Sequence, residues 1–430
     1  MIKPSIFRFV WQHHRVLQGA MFTGAILATL LPIAASSALA TFKDSPKAVV
    51  DEVWQIVNRE YVDGSFNHVD WQKTRIELLK RKYHNRQEAY TAIRSSLQKL
   101  GDRYTRFMNP EEFQSLTNQT SGEVSGVGIV IAADPRTRKI VVAATLENSP
   151  AAQAGIKAGD IIVAIDGKPT RNISPQSAVK LIRGENGKSL VVKIARGGMK
   201  PFDVPLTRAK IELASVFATV KQEGRLKVGY IRLSEFSANA PMQMEKAIKD
   251  LNRQQVNAYV LDLRGNPGGL LQASIEIARM WLDNGAIVKT VDRQGTNEDF
   301  SATQSSLTRL PLAVLVDGNS ASASEILSGA LKDNRRAQIV GAQTFGKALV
   351  QAVHPLSDGS GMAVTVAHYY TPNGTDIGHK GVTPNVKVEL DKLEQEQLDD
   401  APALMASGLD PQYQRAIAEL KTRSNLTTIH

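Results

Sequence analysis

The chain has 430 residues, 52 Lys plus Arg against 42 Asp plus Glu, a net charge of +10, and no cysteine. That length holds about two or three domains with cores of their own, and the missing cysteine excludes disulfides and thiol nucleophiles. The cations are interspersed with acids, with no basic run and no aromatic-interleaved patch, which argues against a nucleic-acid interface and leaves a mild attraction to anionic membrane surfaces open.

Residues 1–40 read as an export signal. Lys3, Arg8 and Arg15 form a positive start with no acid, Gly19–Ile33 is almost wholly apolar, and Ala38-Leu39-Ala40 fits the small-x-small cleavage rule. Pro32 interrupts the apolar stretch, which is short for a stable span. Without this segment the charge is 10 − 3 = +7.

Residues 41–117 carry a helical period. Lys47–Tyr61 sets Val50, Val53, Trp54, Ile56 and Val57 on one broad face. Trp71–Tyr83 and Ala89–Leu100 continue the pattern, and Asn109-Pro110-Glu111-Glu112 is a helix start. A small helical domain devoted to packing is expected.

Residues 118–208 change to short strand-like runs at 128–132, 140–144, 161–165 and 190–195, with a helix at 174–182. The glycine-bracketed run Ser125, Gly126, Val127, Gly128, Ile129 has the flexibility for a nest of N–H groups, or for a plain tight turn. It lacks the third glycine of a dinucleotide loop.

Residues 209–398 alternate apolar strands (228–231, 258–263, 312–316, 338–340) with helices (240–252, 270–281, 322–332), the pattern of a sheet covered by helices. A polar, partly helical tail, 399–430, closes the chain.

Two segments of this last region point to chemistry. In Val314–Ala330, VLVDGNSASASEILSGA, a strand and a small-residue turn lead into a helix. Ser322 there is either the cap of that helix, in an S-x-x-E capping box with Glu325, or a nucleophile whose developing charge faces free N–H groups. In Val340–Val353, VGAQTFGKALVQAV, Lys347 is either a surface cation or a base, which requires it to be desolvated and neutral. A free lysine titrates near 10.4, so work at neutral pH needs a drop of roughly 3 units, or about 4 kcal/mol. Gln351, four residues on, suits this logic, since an amide orients an amine without holding it charged. There is no G-x-S-x-G or H-E-x-x-H motif, and Ser177-Ala178-Val179-Lys180 matches S-x-x-K without its usual companions. His354 and His368 keep a Ser/His arrangement open as the chemical alternative. No ligand spacing suggests a metal, and no cofactor is expected.

Together with Asp262–Gly269, DLRGNPGG, these two segments resemble the tail-specific, or carboxyl-terminal processing, proteases. So do Leu100–Phe113, the SGVGIVI run, Asn148–Gly167, and Tyr370–Pro384. Arg103 departs from the pattern, standing where proline is expected. The resemblance implies an α/β, strictly α+β multidomain, chain. It would comprise a helical N-terminal domain (41–117), a PDZ-like β-rich domain (118–208) and an α/β protease core with a mixed sheet (209–398).

It also implies a serine endopeptidase with a Ser322/Lys347 dyad, Gln351 as third member, and the N–H groups of Gly268 and Ala323 as oxyanion donors. Substrates would be proteins or peptides with free C-termini, held by the carboxylate at Ser125–Ile129 and by strand addition, with Arg183 linking the PDZ-like domain to the core. Asn58–Thr74 resembles the photosynthetic branch, which trims a photosystem II reaction-centre precursor in the thylakoid lumen. The same core also resembles non-proteolytic retinoid-binding relatives, and a PDZ scaffold with a dead core is a third class.

Overall fold

The computed structural model describes residues 45–401 and 404–427; the export-signal segment lies outside them. The centre of the molecule is a six-stranded sheet. Its strands follow the order Val216–Glu223, Leu226–Leu233, Ala258–Asp262, Leu312–Val316, Gln338–Gly341, Val386–Lys387. The first pair is antiparallel and the other pairings are parallel, so the sheet is mixed as expected.

The central strands are buried on both faces, which is why they read as unbroken apolar runs. Side chains still alternate. Leu312, Val314 and Val316 face one apolar cluster with Tyr259 and Leu261; Ala313, Leu315, Ala258 and Val260 face another. Helices Ala240–Arg253, Leu271–Trp281 and Ala323–Asp333 cover the first face.

The second face corrects an expectation. The described part of the expected polar tail, 399–430, is not an appendage. Helix Pro411–Thr427 buries Tyr413, Ala416, Ile417 and Leu420 against that face, closing the core from below. Arg264, 3% exposed, ties it down: its guanidinium donates to Asp262, Asp410 and Gln412. Burial pushes the Asp262 carboxyl up, and the adjoining Arg264, with Tyr230 and Arg232, more than offsets this and holds it below its ordinary range.

A second, antiparallel sheet joins Arg106–Met108, Gly361–Tyr370, Ala286–Asp292 and Asn297–Ser301, with Leu349–Pro355 paired to Gly361–Tyr370. The N-terminal helices Pro46–Glu60, Trp71–Lys80 and Arg86–Gln98 pack on it. Their apolar faces share one cluster with Leu356, Met362 and Val364, so this region is a lid on the second sheet rather than a free-standing bundle.

A β-rich unit follows in the chain, with a core of its own. Strands Ile129–Ala133, Ile140–Thr145, Ile161–Ile165, Ser189–Ala195 and Phe202–Thr207 form its sheet, and helix Pro175–Ile182 caps its own core. Strand Glu123–Gly126 enters the unit, strand Ala209–Glu212 leaves it, and the two pair antiparallel. One two-stranded ladder therefore carries both chain crossings.

Candidate active site

Ser322 sits between strand Leu312–Val316 and helix Ala323–Asp333, at φ 55°, ψ −114°. Few non-glycine residues hold such a backbone; it marks a tight strand-to-helix elbow. The elbow is held by its neighbours. Ala321 N–H donates to Asn266 O at 3.0 Å and Ser324 Oγ to the same carbonyl at 3.0 Å. The capping box exists only in part: Ser322 N–H donates to Glu325 Oε2 at 2.8 Å, but the Glu325 N–H goes to the Ser322 carbonyl rather than to its hydroxyl. Ser322 Oγ is thus not consumed by capping.

Lys347 lies in the loop before strand Leu349–Pro355. A single carboxylate joins this loop to the elbow. Glu325, fully buried, accepts from Ser322 N, Lys347 N (2.9 Å), Gly346 N (2.7 Å) and Thr344 Oγ1 (2.6 Å). The buried Tyr369 hydroxyl adds a second tie, reaching the carbonyl oxygens of both Ser322 and Lys347. Burial, Glu325 and Tyr104 push that phenol well above its ordinary range.

The two loops form the wall of a cavity of about 250 Å³ lined by Ser322, Ala323, Lys347 and Gln351, together with Pro267, Gly269, Tyr104 and Arg106. The Lys347 amine rests 4.7 Å from the centre of the Tyr104 ring, and no hydrogen bond joins it to Ser322 Oγ. Burial lowers the Lys347 pKa, aided by Arg106 and Arg103 and opposed by Asp102 and Glu325. That is the direction a general base requires.

Gln351 follows a β-bulge between Val350 and itself, which turns its side chain against the cavity. Its Nε2 is buried without an acceptor. A buried donor with no partner is costly and marks a place prepared for something else to occupy.

Gly268 lies directly against the elbow. With φ at +106°, a Cβ there would meet Ala321 O at 2.8 Å and Ala323 N at 3.0 Å, so only glycine fits. Its own N–H is taken, donating to Asn266 Oδ1 at 2.9 Å. In this arrangement Ala323 presents an open N–H to the cavity and Gly268 does not.

In the β-rich unit, Ser125 and Gly126 belong to the ladder strand, paired with Lys210 and Ala209. Val127 is fully buried, and Gly128, at φ +76°, leaves no room for a Cβ beside Ser149. The Val127 and Gly128 N–H groups enter no hydrogen bond among the described residues. Ile129 begins a strand that pairs on one side only, so its other edge is open beside helix Pro175–Ile182. Arg183 is exposed at the end of that helix and forms no ion pair among the described residues. The buried cation there is Arg208, which donates to the carbonyls of Ile182, Leu181 and Ser189.

His354 pairs with Glu60 at 2.7 Å and His368 is exposed; neither lines the cavity, which removes the histidine alternative. Sequence reasoning missed Tyr104, Arg106, Tyr369 and the wider role of Glu325. Only Glu325 left a signal, the S-x-x-E spacing.

Comparison with known proteins gives concordant results. The model for Peptidase family S41 matches residues 227–388 and a PDZ domain model matches residues 141–196. A carboxyl-terminal-processing protease of Picosynechococcus sp. is 47% identical over 368 residues, 85% of this chain and 87% of that protein. One from Synechocystis sp. is 44% identical over 384 residues, 89% and 88% respectively. Among solved structures, a photosystem II D1 C-terminal processing protease matches with a TM-score of 0.54 at 37% identity, covering 86% of this chain and 99% of that one.

Proposed function

The chain belongs to the carboxyl-terminal-processing proteases of peptidase family S41, and from that premise we propose that Ser322 and Lys347 are its catalytic dyad, acting on the C-terminal extension of a photosystem II reaction-centre precursor. The observation that carries the assignment is the Glu325 carboxylate. It holds the backbones of Ser322 and Lys347 on one cavity wall while leaving both side chains free.

The reaction follows from these groups. The Lys347 amine leaves the Tyr104 ring and turns to Ser322. Neutral Nζ takes the Ser322 proton as Oγ attacks the scissile carbonyl. Charge develops on the carbonyl oxygen, which the Ala323 N–H stabilises; Gly268 supplies the second donor once Asn266 Oδ1 releases it. The ammonium then protonates the leaving amine, and water, activated by the same base, hydrolyses the acyl-enzyme. The unpaired Gln351 amide lines the same cavity and is assigned to orient the amine there.

The PDZ-like unit supplies selection. The open N–H groups of Val127 and Gly128 suit a terminal carboxylate, and the open edge of Ile129–Ala133 suits an added strand. Arg183, exposed at the end of the unit's helix, is proposed as the link to the core in the substrate-bound state. The export-type start of the sequence and the cyanobacterial relatives support a thylakoid lumen or periplasm. No helix among the described residues is long and apolar enough to cross a membrane, and contact with an anionic surface would be peripheral.

The test is C-terminal proteomics on cells lacking the protein, with purified wild type and Ser322→Ala added back to the accumulated species. An unprocessed reaction-centre precursor, trimmed by wild type alone, supports the proposal. Accumulation of many unrelated exported proteins with that precursor processed normally would replace it with general tail-specific disposal.

A further inference from the structure

One aromatic ring beside the cavity carries two cations. The Lys347 amine lies 4.7 Å from the centre of Tyr104, and the Arg103 guanidinium carbon lies 4.9 Å from the same centre. Arg103 is exposed, yet it is held in place. Its Nη2 donates to Tyr104 Oη at 2.7 Å, and its guanidinium also lies 5.6 Å from the ring of Phe345, in the loop that bears Lys347.

The charges facing Lys347 can be counted. Asp102, Arg103, Tyr104 and Arg106 come from the segment leading into strand Arg106–Met108; Glu325 comes from helix Ala323–Asp333; Tyr369 comes from strand Gly361–Tyr370. Neither carboxylate forms an ion pair with the amine. Asp102 is engaged by Tyr104 N, Thr105 and Thr365 Oγ1, and Glu325 by its four donors. The ring favours the ammonium form alongside Asp102 and Glu325, because an aromatic face attracts cations, and so works against burial.

We propose that Arg103 is a positioning residue for the dyad: by sharing the Tyr104 ring with Lys347 it weakens the ring's hold on the ammonium and so helps to free the amine as a base. The inference rests on Lys347 being that base. A guanidinium stays charged throughout the range in which lysine titrates, so its influence is constant. The distances to the shared ring keep the two charges at most about 10 Å apart, about one Debye length in 0.1 M salt, so their repulsion is felt and is weakened by salt. Burial, Arg106 and Arg103 lower the Lys347 pKa in concert.

The position tolerates change. Asp102 caps the N–H groups of Tyr104 and Thr105, and the Arg103 N–H enters no hydrogen bond among the described residues. The turn stands without the arginine side chain, and its second position also accepts proline.

The experiment measures kcat/KM against pH on a short peptide for wild type, Arg103→Gln and Arg103→Lys. In a Ser322→Ala background, the pH dependence of Lys347 reductive methylation is followed by mass spectrometry. The acid limb of Arg103→Gln should move to higher pH by about half a unit, a loss of roughly threefold near neutrality relative to the plateau. The lysine variant should move less, and high salt should shrink the shift. The labelling curve should move with the kinetic one. Superimposable profiles, or a loss equal at every pH, would overturn the proposal. A labelling curve that shifts while cleavage survives replacement of Lys347 keeps the ring-sharing and removes the base assignment instead.

Discussion

Glu325 shows how one side chain can set a site without touching substrate. It is fully buried and accepts from four donors, two of them the backbones of the proposed nucleophile and base. Glu325→Gln keeps the shape but turns an NH2 toward those donors, leaving at least one buried N–H unpaired at about 1–3 kcal/mol. The variant should lose kcat with little change in KM on a short peptide, and melt at lower temperature; wild-type kcat would show that the clamp is not what aligns the site. Lys347 makes a prediction of opposite sign for stability. Its folded pKa is lowered, first by burial, so between that value and about 10.4 the unfolded chain binds the extra proton. The lysine therefore costs stability at neutral pH, and the cost fades as pH rises toward 10.4. Lys347→Met should be inactive yet melt above wild type at neutral pH, the gap closing in alkali; a constant gap would refute the titration argument. Cleavage by wild type should rise with pH through the lowered pKa, and Lys347→Arg should stay inactive throughout, since arginine does not become neutral. Ser322, Lys347 and Gln351 stood out as candidates in their local runs, the family resemblance grouped them with Ala323, and all four line one cavity. Tyr104, Arg106 and Tyr369 were not, because what they do arises from tertiary packing of residues far apart in the chain.

Among elements, strands buried on both faces announced themselves. Leu312–Val316 and the run Ala258–Leu261 before Asp262 are apolar because the sheet is covered on both sides. Gly361–Tyr370 and Leu349–Pro355 carry Thr365, His368, Gln351, His354 and Pro355, so no clean period survives, and both strands went unread. The C-terminal helix was misread for its polarity. Tyr413, Ala416, Ile417 and Leu420 fall at i, i+3, i+4 and i+7, a narrow stripe in an otherwise mostly polar segment. That stripe carries real burial: Tyr413 has no exposed surface, stacks edge-on to Tyr230 with centroids 6.0 Å apart, and donates to Glu223. Tyr413→Ala should lower stability by about 3–5 kcal/mol, the range for truncating a buried aromatic. Chemical denaturation of the purified variant checks this, and a change below about 1 kcal/mol would return the segment to the status of a tail.

At the scale of the whole molecule the question is how a tail held by the PDZ-like unit is felt at Ser322. Two contacts span the distance. Lys180, on helix Pro175–Ile182, meets Glu111 at 3.3 Å, but both side chains are more than 70% exposed, and such a pair contributes little. Lys180→Ala should change processing less than about twofold. The ladder of Glu123–Gly126 with Ala209–Glu212 is the stronger candidate. It carries both crossings of the chain, buries Ile211, and runs from the turn at Val127 and Gly128, proposed to bind the carboxylate, back to helix Pro110–Ser121, whose Leu116 and Thr120 line the cavity. No residue of that helix is buried, and it rests on the core through Phe113 against Gly361 and the Ala238 N–H on the Thr120 carbonyl, so a shift of the ladder would be passed on through these contacts. A carboxylate bound at the turn would bias the ladder, the ladder would bias the helix, and the cavity would change shape around the Lys347 amine. Amidating the C-terminus of a long substrate should therefore slow its cleavage, and removing residues 127–208 with the ladder ends rejoined by a short glycine linker should abolish the difference between acid and amide. Short peptides, which do not reach both sites, should be cut at similar rates in every case. Equal rates for amidated and free-acid long substrates in the intact protein would mean that binding at the turn recruits the tail without altering the site.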